Sequence, residues 1–163
     1  MNAVTPTPTK RDLQGLIDAI AQANDDESLN NPLKPDQWDT LSAYLQPCML
    51  AAGQLLFNRG VTDRTLYLVE SGSISVHYED DKGRLRMAVV PPGSVLGEGG
   101  FFAHRPRSAT AQAAAPSKLW ALTALRFTEL SNRQPAIALG LAMAAGAVMS
   151  KRLGNRRRRV AST

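Results

Sequence analysis

Apolar positions along the chain change period twice. Near the N-terminus Leu13, Leu16, Ile17 and Ile20 recur three and four residues apart, the spacing that gathers side chains on one face of a helix. Thr9 is the expected N-cap of that helix, which would start near Lys10. The Pro/Thr-rich MNAVTPTPT before it has too little apolar surface to pack and is expected to be disordered. The polar stretch NDDESLNNP ends the helix. Asp36 opens a second short helix, with Trp38, Leu41, Ala43, Tyr44 and Leu45 as its apolar contacts and Pro47 as its stop.

Over residues 48–122 the pattern becomes that of strands. Gly53, Gly60, Gly72, Gly83, Gly93 and Gly97 punctuate short apolar segments, as in a β-sandwich or barrel. The segments are residues 54–57, 65–70, 73–78, 85–90, 109–113 and 118–122. Within SISVHY, Ile74, Val76 and Tyr78 face one way. Asp80-Asp81-Lys82-Gly83 reads as a hairpin loop.

Beyond Leu122 helices return. Residues 124–132 form a short one, and Pro135 opens a long one running to about Arg157. The long helix is apolar nearly all round, which implies burial on more than one face. Ile137, Leu141 and Val148 lie on one side, and Leu139, Met143, Met149 and Leu153 on the other. Small residues four apart, Gly140/Ala144 and Ala142/Gly146, let another backbone approach closely. The expected architecture is mainly β with flanking α. It is an antiparallel, jelly-roll-like β-roll of about eight strands, with N-terminal helices and two C-terminal helices. Residues 1–33 read as an N-terminal extension and 34–163 as the domain.

Charge and cysteine content narrow the picture. Six of the 19 Lys and Arg residues, Lys151, Arg152 and Arg156 to Arg159, fall in residues 151–163 with no acid, leaving 13 basic against 14 acidic side chains elsewhere. The excess positive charge belongs to the tail, so a general nucleic-acid-binding surface on the body is not indicated. Cys48 is the one cysteine, which excludes an internal disulfide or a cysteine-based metal site and fits a reducing, cytoplasmic setting. The apolar run at residues 136–149 is short for a bilayer span, and no membrane partner is expected.

The chemistry concentrates in GEGGFFAHRPRSA, residues 97–109. Gly99 and Gly100 allow a close approach of backbone N–H groups to a ligand, and a helical turn starting there would aim amide donors at an anion. Glu98 when ionised only accepts hydrogen bonds, so its natural partner is a hydroxyl such as a sugar 2′-OH. Arg107 offers a planar fork of donors that matches a phosphate, and Ser108 adds a hydroxyl donor. One phosphate beside one ribose hydroxyl describes a cyclic nucleotide.

At these residues the chain resembles the cyclic nucleotide-binding domain family, which includes the catabolite activator protein and the regulatory subunits of cyclic-AMP-dependent protein kinase. Gly97-Glu98 and Arg107-Ser108-Ala109 match the two ends of the family's phosphate-binding cassette. LYLVESGSISV (66–76), Gly60 and PPGSVLGE (91–98) match the roll around it, and the resemblance covers roughly residues 36–157. It implies that Glu98 holds the ribose 2′-OH and Arg107 the cyclic phosphate. Gly97, Gly99, Gly100, Ser108 and Ala109 would complete that pocket. Val76, Met87, Val90 and Leu96 would wall the ribose and base, and Arg152 matches a helix arginine that some members place near the ligand. Two adenine-contacting positions of the bacterial activator fall, by ungapped count, on Arg156 and Arg157. Six residues follow Arg157, so the helix-turn-helix domain of that activator has no counterpart here, as in a free-standing sensor or a fragment.

Competing readings are weaker in the residues. His77 and His104 stand apart without the His-x-His pattern of a cupin metal site, and no metal or other cofactor is expected. They read as a strand-surface and a loop residue. Phe101 and Phe102 read as cassette core anchors. No nucleophile-base set, paired-carboxylate cleft or P-loop lysine points to an enzyme. The function implied is a non-enzymatic sensor of cyclic AMP or cyclic GMP, signalling through the long helix to an unknown protein effector, with homodimerisation through residues 136–155. Its rivals are a ligand-free interaction scaffold of the same fold, a cyclic dinucleotide sensor using the tail arginines, and, last, a DNA-binding protein.

Overall fold

The structure, a computed structural model, describes residues 11–161 and their side chains as far as residue 155. The disorder expected of residues 1–9, the Thr9 cap and the side chains of Arg156 to Arg159 lie outside the described residues.

The N-terminal helix α1 spans Gln14–Gln22 and begins at Leu13 without a side-chain cap, a few residues later than its apolar spacing suggested. The spacing itself holds: Leu13, Leu16 and Ile20 are buried, with Ile17 packed beside them. Helix α2, Pro35–Ser42, opens on proline, whose missing N–H costs nothing in a first turn. It ends well before Pro47. That proline sits in strand β1, Gln46–Leu50, at the edge of a sheet, where a residue without N–H is tolerated.

Seven further strands follow: β2 (Leu55–Phe57), β3 (Leu66–Ser71), β4 (Ile74–Glu79), β5 (Leu85–Val90), β6 (Val95–Leu96), β7 (Thr110–Ala113) and β8 (Ser117–Leu122). All pairings are antiparallel, in two four-stranded sheets ordered β1-β8-β3-β6 and β2-β7-β4-β5. The β-roll expected from the sequence is therefore present. β1 and β6 had not been foreseen, one because of Pro47 and the other because two residues carry no period.

Strand alternation divides the apolar interior in two. Leu66 and Leu68 of β3, with Trp120 and Leu122 of β8, face the helices and join a core with Leu16, Trp38, Leu41, Leu130 and Leu141. Val69 of β3 and Leu119 of β8 turn into the roll, where they meet Leu50, Ile74, Val90, Leu96 and Ala111. Leu29 and Leu33 also enter the helical core, so the segment ahead of α2 packs as part of the domain.

Helix α3 (Glu98–Ala103) is the middle of the glycine-rich stretch. Helix α4, Ala124–Arg133, is capped by the Thr123 side chain, which accepts from Arg126 N. Helix α5, Pro135–Ala161, runs four residues beyond expectation. Its residues Pro135–Asn155 are long and apolar enough to cross a membrane by length and composition. Ile137, Ala138, Leu141, Ala145 and Val148 account for much of that character by packing into the helical core. Leu139, Met143 and Leu153 are exposed on other faces, as the two-sided pattern implied. The small residues have separate uses. A Cβ on Gly140 would lie 3.3 Å from Pro32 O and Leu33 Cδ2, so the backbone that approaches there is the chain's own, whereas Gly146 meets nothing.

Candidate functional site

Strands β4 and β5, α3 with the loop after it, and the C-terminal half of α5 enclose a cavity of about 970 Å³. Every residue named for the ligand pocket lines it, except Arg156 and Arg157, whose side chains are outside the described residues; His104 is not among the lining residues. Pairing sets which β side chains face inward: Ile74 opposes Val90 and Val76 opposes Ala88 on one face of the sheet. Met87 pairs with His77 on the alternate face and is 61% exposed, so it reaches the cavity only at its rim. Ala88, not foreseen, takes the wall position beside Val76.

Arg107 is the most deeply buried charge among the described residues, 4% exposed. A guanidinium in such a place needs partners for both charge and donors. Its Nη2 donates to Asp63 Oδ2 at 2.8 Å and to Thr65 O at 2.7 Å, and its Nη1 donates to Gly97 O at 2.8 Å. The Phe57 ring lies 4.3 Å from the guanidinium carbon. One nitrogen is left without a partner: Arg107 Nε, which is buried. Burial pushes the Asp63 carboxyl up, but hydrogen bonds from Arg107 and Thr65 and the arginine's charge outweigh it and hold the group below its ordinary value.

The glycines follow from this crowding. Gly97 is left-handed at φ 84°, and a Cβ there would come within 2.5 Å of Arg107 Nη1 and 2.6 Å of Thr65 O. On Gly100 a Cβ would meet Asp63 O at 2.7 Å, while on Gly99 it would meet nothing. Gly97 and Gly100 thus let residues 63–65 and the arginine close up beneath α3. Gly99 leaves open space on a residue that lines the cavity.

Glu98 Oε1 accepts from Arg152 Nη1 at 2.8 Å. Arg152 also donates to Glu27 Oε2 (3.2 Å), Ser94 Oγ (3.0 Å) and Val95 O (2.7 Å). The helix arginine singled out from the sequence therefore ties α5 to the cassette, to β6 and to the N-terminal segment. Phe101 is buried against Phe127 as a core anchor, but Phe102 is 37% exposed, because a six-residue helix turns successive side chains apart. His104 ends α3 with φ 55°, and His77 is exposed on β4. Asp63, Thr65, Phe57 and Glu27 had not been foreseen, since they reach the site from elements distant in sequence.

Residues 48–134 match the family model of the cyclic nucleotide-binding domain. The chain is 31% identical over 122 residues to a cyclic AMP receptor protein of Thermus thermophilus, spanning 74% of this chain and 55% of that protein. It is 30% identical over 122 residues to a cAMP-dependent protein kinase regulatory subunit of Eremothecium gossypii, spanning 75% of this chain and 25% of that one. These curated relatives are thus matched over about half of their length or less. In fold, a cyclic nucleotide-binding domain from Methylobacillus flagellatus superposes with a TM-score of 0.79 at 16% identity, covering 92% of this chain and 83% of that one.

The arginine's dependence on Asp63 is open to titration. Because the folded pKa of Asp63 is depressed, its contribution is present above the unfolded value of 3.8 and is lost as pH falls through the folded value. Thermal unfolding midpoints of the wild type should decline more steeply below about pH 5 than those of Asp63→Asn. Parallel declines would show that the pair does not stabilise the fold.

Proposed function

The chain belongs to the cyclic nucleotide-binding domain family, and from that premise we propose that it is a non-enzymatic sensor of a purine cyclic nucleotide, cyclic AMP or cyclic GMP. The observation that carries the reading is the buried Arg107 guanidinium. It is fixed by Asp63, Thr65 and Gly97, its Nε is buried without a partner, and the residue lines the cavity. A buried donor without a partner is costly unless something binds it, and a phosphate oxygen is its natural complement. Glu98 has one oxygen committed to Arg152 and the other available for a ribose 2′-OH. The space left by Gly99 admits the sugar-phosphate close to the backbone. Leu96, Val76 and Val90 supply apolar walls.

Signalling would follow from the same contacts. A ligand engaging Glu98 bears on Arg152 and hence on the position of α5, shifting the population of helix positions presented to a protein effector. A cytoplasmic location suits such a sensor. Exposed Leu139, Met143 and Leu153 offer an apolar stripe for a second copy, giving a homodimer through α5. One observation favours a second reading, a ligand-free scaffold: Glu98 and most of the Arg107 fork already have protein partners.

Calorimetric titration with cyclic AMP and cyclic GMP separates the two. Saturable binding is expected, weakened about 100-fold in Arg107→Ala and in Arg107→Lys, the latter keeping the charge should the former fail to fold. Absence of heat with either nucleotide, in folded protein free of bound ligand, would leave the scaffold reading. Sedimentation velocity should show a dimer that Met143→Glu converts to monomer. A wild-type monomer at tens of micromolar, on the order of the weakest affinity that would matter, would remove the α5 dimer.

A further inference from the structure

Glu27 lies between α1 and α2, outside residues 48–134 that match the family model, yet it lines the cavity. Its segment is pinned to the approach to the cassette: Ser94 Oγ donates to Glu27 O at 2.6 Å, and Leu29 N donates to Gly93 O at 2.8 Å. Both carboxylate oxygens of Glu27 face α5. Oε2 accepts from Arg152 Nε at 3.2 Å and Oε1 from Asn155 Nδ2 at 2.9 Å.

This contact has a direction. A carboxylate only accepts, whereas a carboxamide has a donor end and an acceptor end. Facing Glu27, Asn155 must present its Nδ2, which leaves Oδ1 as the end available to another group. No described residue donates to that oxygen, and Asn155 lines the cavity. Arg152, one turn earlier, has its nitrogens committed to Glu27, Glu98, Ser94 and Val95. Asp25, which also lines the cavity, brings only further acceptors and spends Oδ1 on Glu27 N at 2.7 Å. Among these described side chains the groups left over are acceptors, with the Ser150 hydroxyl, which can donate or accept, nearby on the lining.

Resting on the reading of the cavity as a cyclic nucleotide site, we infer that Glu27 is a positioning residue for Asn155, and that the pair selects a purine by its exocyclic amine. With the phosphate at Arg107 and the ribose at Glu98, the base is the part of the ligand left to reach α5. An amine on the facing edge donates to Asn155 Oδ1. A bare C–H gives nothing, and a carbonyl sets acceptor against acceptor.

The test uses two pairs of ligands that differ by one amine: cyclic AMP against purine riboside 3′,5′-cyclic monophosphate, and cyclic GMP against cyclic IMP. Affinities are measured by calorimetry for the wild type, Glu27→Gln, Asn155→Ala and Arg107→Ala. In the wild type the amine-bearing member of at least one pair should bind about three- to tenfold tighter, the range for one neutral hydrogen bond. In Glu27→Gln, where the Asn155 amide can turn either end, and in Asn155→Ala, that ratio should fall toward one. Arg107→Ala should weaken all four ligands alike. If Glu27 is only a brace, its variant weakens every ligand and leaves the ratio unchanged, which overturns the inference. Equal affinities within both wild-type pairs overturn it too, with the sensor reading intact. No binding of any of the four by folded wild type removes both.

Discussion

A guanidinium that is 4% exposed constrains everything around it. Burying Arg107 requires that its charge be matched and most of its donors used, and the chain meets that demand from three directions. Asp63 supplies the countercharge, Thr65 and Gly97 supply carbonyls, and Phe57 supplies a ring face. The left-handed Gly97 follows from this, because a side chain there would collide with the arginine it helps to hold. The cassette is thus built from the arginine outward, with its Nε left buried and without a partner.

A second cation carries the site's geometry to the rest of the molecule. Arg152 joins the cassette glutamate, strand β6, the N-terminal segment and α5 through four acceptors. Four bonds from one partly buried side chain form a network whose members do not move independently. The other face of α5 is anchored in the helical core through Ile137, Leu141 and Val148. The helix is thus held by apolar packing along its first half and, beyond it, by the polar contacts of Arg152 and Asn155.

How much of this was legible in the sequence depended on the range of the interactions. Local signals were accurate: β5 falls at residues 85–90, the apolar segment that Gly83 and Gly93 marked off, and Gly83 in the β4–β5 hairpin has the left-handed φ of 72° that the turn requires. Residues 97–109 announced the site because its two charged groups sit nine positions apart in a glycine setting that little else explains. What escaped were contacts made through the fold. Asp63 lies 44 residues from Arg107 in sequence, and Glu27 lies 125 from Arg152. Neither carries a local signature. Met87 shows the limit of counting without register: one step along β5 puts Ala88, not Met87, opposite Val76.

If Arg107 is to hold a ligand phosphate, its buried, unpartnered Nε–H is the group that must respond to it. The most direct measurement is the arginine Nε–H region of a proton–nitrogen correlation spectrum, recorded during titration with cyclic AMP and cyclic GMP and assigned with Arg107→Lys. A protected Arg107 Nε–H resonance is expected in the free protein, moving strongly downfield as the better ligand saturates the site. A nucleotide that binds while that resonance stays in place would show that the phosphate is held elsewhere.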